Sequence, residues 1–257
     1  MTIPDHALLL FAAGAGAGVM NAVAGGGSFL TFPALVFAGL PSIIANASST
    51  VALVPATLAS VWAYSTGTHR TGLVDIGGVP IGRIIAISTL GGLTGAILLL
   101  STPVVLFDGI IPWLLLLAAL VFAFGGRLSA WLRQHAHLGP AAVLPLQLGL
   151  GIYGGYFGGA VGIMTLAAWS LVTPHDLKAL NPTRMLTVAA MNGIAVAWFV
   201  AAGEVQWPET FVVLAGGLVG GFLGGRIGQR LPLGITRAII MAVTAAMTLI
   251  FFKRAYF

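Results

Sequence analysis

Two glycine clusters and two short polar runs hold most of the residues with which this chain could do chemistry. Gly25-Gly26-Gly27-Ser28 and Gly158-Gly159-Ala160-Val161-Gly162 each interrupt a long apolar stretch. Asn46, Ser48 and Ser49 open one apolar block, and Asn181, Thr183 and Arg184 open another. Asn192 follows two turns beyond Arg184, and Asn21 precedes the first glycine cluster. Together they offer backbone N–H groups, amides, hydroxyls and one fixed positive charge, a set that suits a small anion. The guanidinium of Arg184 can take two oxygens of such an anion at once. Other uses stay open. Glycine breaks can be tight packing turns, Asn46 and Asn181 are equally suited to cap the helices they open, and Arg184 can anchor the basic side of a membrane.

Other chemistries lack their parts. The chain has no cysteine, which removes disulfides, thiolate nucleophiles and Cys-ligated metals. His6, His69, His135, His137 and His175 fall at a terminus or in loops and assemble no metal site. Ser28, Ser48 and Ser49 have no His, Asp or Lys placed at their depth, so an enzyme is not expected. Asp75, Asp108, Asp176, Glu204 and Glu209 sit at the edges of apolar blocks, leaving no buried carboxylate for proton coupling. Nothing calls for a cofactor or a metal. The net charge of +5 comes without a basic and aromatic stretch, which argues against nucleic acid.

The elements that must position these residues lie in a membrane. Of 257 residues, 58% are hydrophobic and only 7% charged, with a mean hydropathy of +1.04; soluble domains carry about 25% charged residues. Apolar blocks fall at roughly 7–38, 45–66, 76–100, 104–126, 141–173, 182–202, 208–230 and 233–252. Residues 1–6 carry no Lys or Arg, so the first block is expected to be retained rather than cleaved as a signal peptide. Blocks 7–38 and 141–173 are too long for one crossing of a hydrocarbon core of about 30 Å, and both are broken by the glycine clusters. Residues 127–140, with Arg127, Arg133, His135 and His137, read as a cytoplasmic linker between a first transmembrane repeat, 1–126, and a second, 141–257.

A shift of 135 residues pairs Gly14 with Gly149, Gly16 with Gly151, Gly27 with Gly162 and Asn46 with Asn181, and sets Ser48 opposite Thr183. Both glycine breaks and both polar helix starts therefore fall in register, as an internal repeat predicts. If each broken block is a helical hairpin, each half makes an odd number of crossings. One side then collects Arg70, Arg127, Arg133, Lys178, Arg184, Arg230 and Arg237, while Asp5, Asp108, Glu204 and Glu209 lie on the other together with Lys253 and Arg254. The positive-inside rule favours this arrangement. The expected fold is an all-α polytopic membrane protein of two inverted-topology repeats, about four hydrophobic blocks each.

Glycine also recurs every four residues, at Gly216, Gly220, Gly224 and Gly228 and at Gly151, Gly155 and Gly159. In lipid such stripes let helix backbones approach closely. Packing within one chain is the expected use, and the same stripes could pair two copies into a homodimer.

The run Ala24-Gly25-Gly26-Gly27-Ser28-Phe29-Leu30-Thr31-Phe32-Pro33-Ala34-Leu35, followed by Gly39-Leu40-Pro41 and Ala45-Asn46-Ala47-Ser48-Ser49-Thr50-Val51-Ala52-Leu53, resembles the first repeat of the TauE/SafE family of sulfite and organosulfonate exporters. Gly154-Gly155-Tyr156-Phe157-Gly158-Gly159, Asn181-Pro182-Thr183-Arg184 and Gly220-Gly221-Phe222-Leu223-Gly224-Gly225 are similar to its second repeat. The resemblance covers essentially the whole chain. It implies a multi-pass carrier in a bacterial inner membrane, exporting small sulfur-containing anions by alternating access at a midplane site between the repeats. A passive anion channel, or a carrier of another small organic anion, would fit the same features. The chain departs from the pattern in carrying Arg184 where members often have Lys, and in a thinner second glycine cluster, so the two half-sites are expected to be unequal. The expected substrate-binding residues are Asn21, Gly25, Gly26, Gly27, Ser28, Asn46, Ser48, Ser49, Gly158, Gly159, Gly162, Asn181, Thr183, Arg184 and Asn192, with membrane lipid as the surrounding partner.

Overall fold

A computed structural model describes residues 6–23, 26–66, 73–135, 139–173, 177–227 and 233–256. The described residues form ten α-helices: α1 (Ala7–Val23), α2 (Ser28–Phe37), α3 (Ser42–Thr66), α4 (Ile81–Ser101), α5 (Val104–His135), α6 (Val143–Tyr156), α7 (Val161–Trp169), α8 (Leu177–Ala201), α9 (Trp207–Ile227) and α10 (Leu233–Tyr256). Four stretches, Ile81–Ser101, Val104–Gly125, Pro182–Ala201 and Trp207–Gly224, are long and apolar enough to cross a membrane. Large apolar side chains such as Leu98, Leu120 and Phe222 point outward, as a surface solvated by lipid allows.

Both over-long apolar blocks divide at their glycine clusters. The first gives α1 and α2, the second α6 and α7, and in each pair the two helices pack on one another. At 10 and 9 residues, α2 and α7 reach about 15 Å at 1.5 Å per residue, half of a hydrocarbon core of about 30 Å. Helix α2 ends where Gly39 takes φ +97°. The Gly39 N–H donates to the Val36 carbonyl and the Leu40 N–H to the Leu35 carbonyl. This paired closure of the last turn needs a left-handed residue, and Gly39 adopts it without a β-carbon clash.

The stretch read as a linker begins as helix. Helix α5 continues through Arg127 and Arg133 to His135. Polarity ends the apolar block there but not the helix, because Arg, Leu, Ala and Gln all favour helical backbone.

Close helix packing rests on glycine. A β-carbon at Gly18 of α1 would overlap the Gly217 carbonyl of α9, and one at Gly220 would overlap the Ala15 carbonyl. In the same way α4 meets α6 where a β-carbon at Gly155 would overlap the Gly92 carbonyl. Other principal contacts join α3 to α8, α3 to α9, α4 to α8, and α5 to α10. Exchanging α1–α5 for α6–α10 carries α1·α9 onto α4·α6, carries α3·α9 onto α4·α8, and returns α3·α8 and α5·α10 to themselves. Phe32 of α2 lies in the core between Phe157, edge-on at 6.0 Å, and Phe251 of α10, stacked at 5.5 Å.

Candidate functional site

The two helix breaks open onto one cavity of about 90 Å³. From the first break, Gly26 and Ser28 line it at the start of α2; from the second, Phe157, Gly158, Ala160, Val161 and Gly162 line it at the start of α7. A helix N-terminus leaves its first N–H groups without intrahelical partners and carries roughly half a positive charge. Two such ends at one cavity make an environment for an anion.

The first break is held by Asn21. Its Oδ1 accepts the Gly27 N–H at 2.8 Å, so the last turn of α1 supplies a partner for a donor at the start of α2. A β-carbon on Gly27 would come within 2.6 Å of the Ala17 carbonyl. The second break is tied differently. Tyr153 donates its hydroxyl to the Gly159 carbonyl at 2.9 Å, and Ala160 adopts φ +58°. A residue with a β-carbon in that left-handed conformation costs about 1–2 kcal/mol. Among the described residues Ala160 alone does so without being glycine, and it faces the cavity.

Helices α3 and α8 supply the remaining walls. From α3 come Thr50, Leu53, Val54 and Thr57, one face at three- and four-residue spacing. From α8 come Arg184, Met185, Val188 and Asn192. Arg184 reaches the start of α7: a β-carbon on Gly162 would lie 3.0 Å from its Nη1. Gly162 therefore belongs to the first turn of α7 rather than to the break, and its missing side chain leaves room for the guanidinium. The Oδ1 of Asn192 is buried with no hydrogen-bond partner. Thr50 and Thr57 donate their hydroxyls to the Asn46 and Leu53 carbonyls, so their free lone pairs remain as acceptors.

Of the residues expected from the sequence, the structure brings Asn21, Gly26, Ser28, Gly158, Gly162, Arg184 and Asn192 together around this cavity. Gly27 and Gly159 are buried beside them in the breaks. Asn46, Ser48, Ser49 and Thr183 lie outside its lining and make contacts between elements. Asn46 donates to the Tyr156 carbonyl at 3.0 Å, Ser48 accepts the Gln206 N–H at 3.0 Å, and Ser49 shares a hydrogen bond of 2.6 Å with Thr31. Thr183 accepts the Val74 N–H at 3.0 Å. Gly25 and the side chain of Asn181 lie outside the described residues. Thr50, Thr57, Phe157, Ala160, Met185 and Val188 were not expected. On α8 the 184-188-192 spacing carries the signal, since Val188 shares a face with Arg184 and Asn192; on α3 none of the expected residues lines the cavity, so nothing chosen there pointed to the 50-53-54-57 face.

A chain whose described residues are helical apart from short turns, with four segments among them long and apolar enough to cross a membrane and a cavity where two half-helices begin, has the architecture of a polytopic membrane protein. Residues 10–251 match the family model described as Sulfite exporter TauE/SafE, and the chain belongs to that family. It is similar to a "Probable membrane transporter protein" of Haemophilus influenzae, 29% identical over 216 residues, covering 84% of this chain and 82% of that one. It is also similar to the "Probable membrane transporter protein YfcA" of Escherichia coli, 28% identical over 78% of this chain and 72% of that protein. The "Probable membrane transporter protein ORF9" of a Sinorhizobium species is 28% identical over 77% of this chain and 74% of its own length. No solved structure matches the chain.

Proposed function

We propose that the protein is a secondary transporter of small sulfur-containing anions, such as sulfite or short organosulfonates, exporting them across a bacterial inner membrane. The observation that carries this reading is the meeting of the α2 and α7 N-termini with Arg184 at one cavity. Positive helix ends and a guanidinium side by side repel one another, and a bound anion relieves that repulsion. Size is consistent: a water needs roughly 10–15 Å³ of such volume, so about 90 Å³ suits a solute of a few heavy atoms and not a large metabolite. Membership of a family described as sulfite exporters and relatives called probable membrane transporters support the same reading.

In this mechanism α1–α5 and α6–α10 are inverted repeats, and the site lies near the midplane between them. The exchange symmetry of the helix contacts and the segregation of basic residues support that arrangement. Alternating access would rock one repeat against the other around the fixed cavity. Reconstitution in vesicles with sulfite, sulfoacetate and a carboxylate anion tests it. Saturable flux of the sulfur anions is expected. It should fall to the level of protein-free vesicles in Arg184→Ala and be partly kept in Arg184→Lys, which preserves charge but loses the planar fork. Wild-type flux in a folded Arg184→Ala protein would overturn the role of Arg184, and flux that never saturates would indicate a channel.

A further inference from the structure

The hydroxyls of Ser48 and Thr183 hold two connections that the transport site does not use. Thr183 accepts the Val74 N–H at 3.0 Å, and Ser48 accepts the Gln206 N–H at 3.0 Å. Val74 belongs to residues 73–80, which lead into α4, and Gln206 to residues 202–206, which join α8 to α9. Each bond therefore ties the beginning of α3 or α8 to chain that follows the other of the two. Ser48 and Thr183 are also the pair set opposite each other by the shift of 135 residues, and both are fully buried. The two bonds are one contact repeated under exchange of the halves.

Their positions bracket the cavity. The beginning of α8 meets chain beyond the end of α3, and the beginning of α3 meets chain beyond the end of α8. The two helices are thus antiparallel, and the bonds lie at opposite ends of the pair. The α3 residues that line the cavity start at Thr50, two positions after Ser48, and those of α8 start at Arg184, directly after Thr183. Beside each bond the connection carries an apolar plug. Ile76 and Val79 are buried in one cluster with Val143, Trp169 and Leu180, on a turn closed by reciprocal hydrogen bonds between the Ile76 and Val79 main chains. Val205, next to Gln206, is buried in the main core. Leu73, Asp75 and Gly78 of the first connection are exposed, as are Ala202, Gly203 and Gln206 of the second. Each connection thus stands between the packed interior and the surface.

We infer that Ser48 and Thr183 are the latches of two gates, one at each end of the cavity. Breaking the Thr183 bond frees residues 73–80 to swing aside at one end, and breaking the Ser48 bond frees residues 202–206 at the other. In the shut arrangement each N–H has a buried hydroxyl as its acceptor. In the open one water takes that place, so the exchange costs little net. Both bonds are made in this structure, so both gates are latched. A carrier needs two gates that open in turn, and one contact repeated at the two ends gives them comparable strength. The inference takes its purpose from the transport reading, but the opening of each end is measurable without any substrate.

The test is labelling of a cysteine in the cavity wall. The chain has no cysteine, so Val188→Cys on α8 provides a single target, and a membrane-impermeant maleimide can be applied to either face of vesicles of fixed orientation. Labelling of Leu73→Cys locates the face on which residues 73–80 lie. Thr183→Val keeps the shape of the side chain but removes the acceptor, leaving the Val74 N–H unsatisfied only while that gate is shut. It should raise the labelling rate of Val188→Cys about 3- to 10-fold, as the loss of one hydrogen bond implies, and only from the face of residues 73–80. Ser48→Ala should do the same only from the opposite face, and Thr183→Ser, which keeps the hydroxyl, should label at the parent rate. General loosening of the fold would raise labelling from both faces in either variant; that outcome, or unchanged rates in both, would overturn the proposal. Face-specific labelling in a protein without saturable anion flux would leave the gates standing and overturn the transport reading instead.

Discussion

The side-chain amide of Asn46 in α3 donates to the main-chain carbonyl of Tyr156, the last residue of α6, at 3.0 Å. A carbonyl in the last turn of a helix has no intrahelical partner, and here one half of the chain supplies it at the point where the second break begins. Asn46→Ala would leave that carbonyl without its donor at a cost of about 1–3 kcal/mol. A lower Tm in detergent is the expected outcome, with weakened transport because the break loses its support. An unchanged Tm would show that another group takes over the carbonyl.

Gly162→Ala tests the placement of Arg184. The added β-carbon would meet Nη1 at 3.0 Å, the movable end of a flexible side chain, so the fold should tolerate it. The guanidinium must shift by a few tenths of an ångström. A raised half-saturation concentration for the transported anion, with Tm within about 0.5 kcal/mol equivalent of wild type, is expected. Unaltered half-saturation would separate Arg184 from the anion.

Much of this arrangement was legible in the residues. Glycines in apolar blocks too long for one crossing marked both breaks, and the cavity forms at both. Arg184, Asn21 and Asn192 were recognisable as polar groups within apolar surroundings. The division of labour was not legible, because Asn46, Ser48, Ser49 and Thr183 look like site residues yet spend their hydrogen bonds on other elements. A sequence names the donor but not the carbonyl it meets. Thr50 and Thr57 carry no mark of a site in the sequence, since a small hydroxyl in a membrane helix can also bond its own backbone, as both do. The extension of α5 to His135 was missed because hydropathy marks the end of lipid contact, not of the helix.

Glycine in α6 should be sharply position-dependent. A β-carbon on Gly155 would overlap the Gly92 carbonyl of α4, whereas one on Gly149 meets nothing within 4 Å. Gly155→Ala must separate two helix backbones, and overpacking of this kind costs about 1–3 kcal/mol or more. Gly149→Ala should be neutral or stabilising by up to about 1 kcal/mol, since alanine restricts the unfolded chain and favours helix. Thermal melts of both variants in the same detergent decide it. Equal behaviour would show that the α4·α6 contact is looser than the backbone positions indicate.

A buried chain of side chains fixes α7 to its neighbours. Trp169 Nε1 donates to Gln147 Oε1 at 2.8 Å, Gln147 Nε2 donates to Ser88 Oγ at 2.9 Å, and Ser88 donates to the Ile84 carbonyl. All three residues are buried, so Gln147 bridges α6 to α4 and to the end of the half-helix that opens on the cavity. Gln147→Leu keeps the bulk but deprives the indole N–H of its acceptor, at a cost of about 1–3 kcal/mol. Ser88→Ala alone should cost less, because it removes one bond and leaves the indole satisfied. With Gln147 already replaced, Ser88→Ala has no side-chain bridge left to break, so the double variant should be less destabilised than the two single effects added, by at least about 0.5 kcal/mol. Strict additivity in unfolding measurements would mean that the bridge does not act as one unit, and α7 would then be held by its apolar contacts alone.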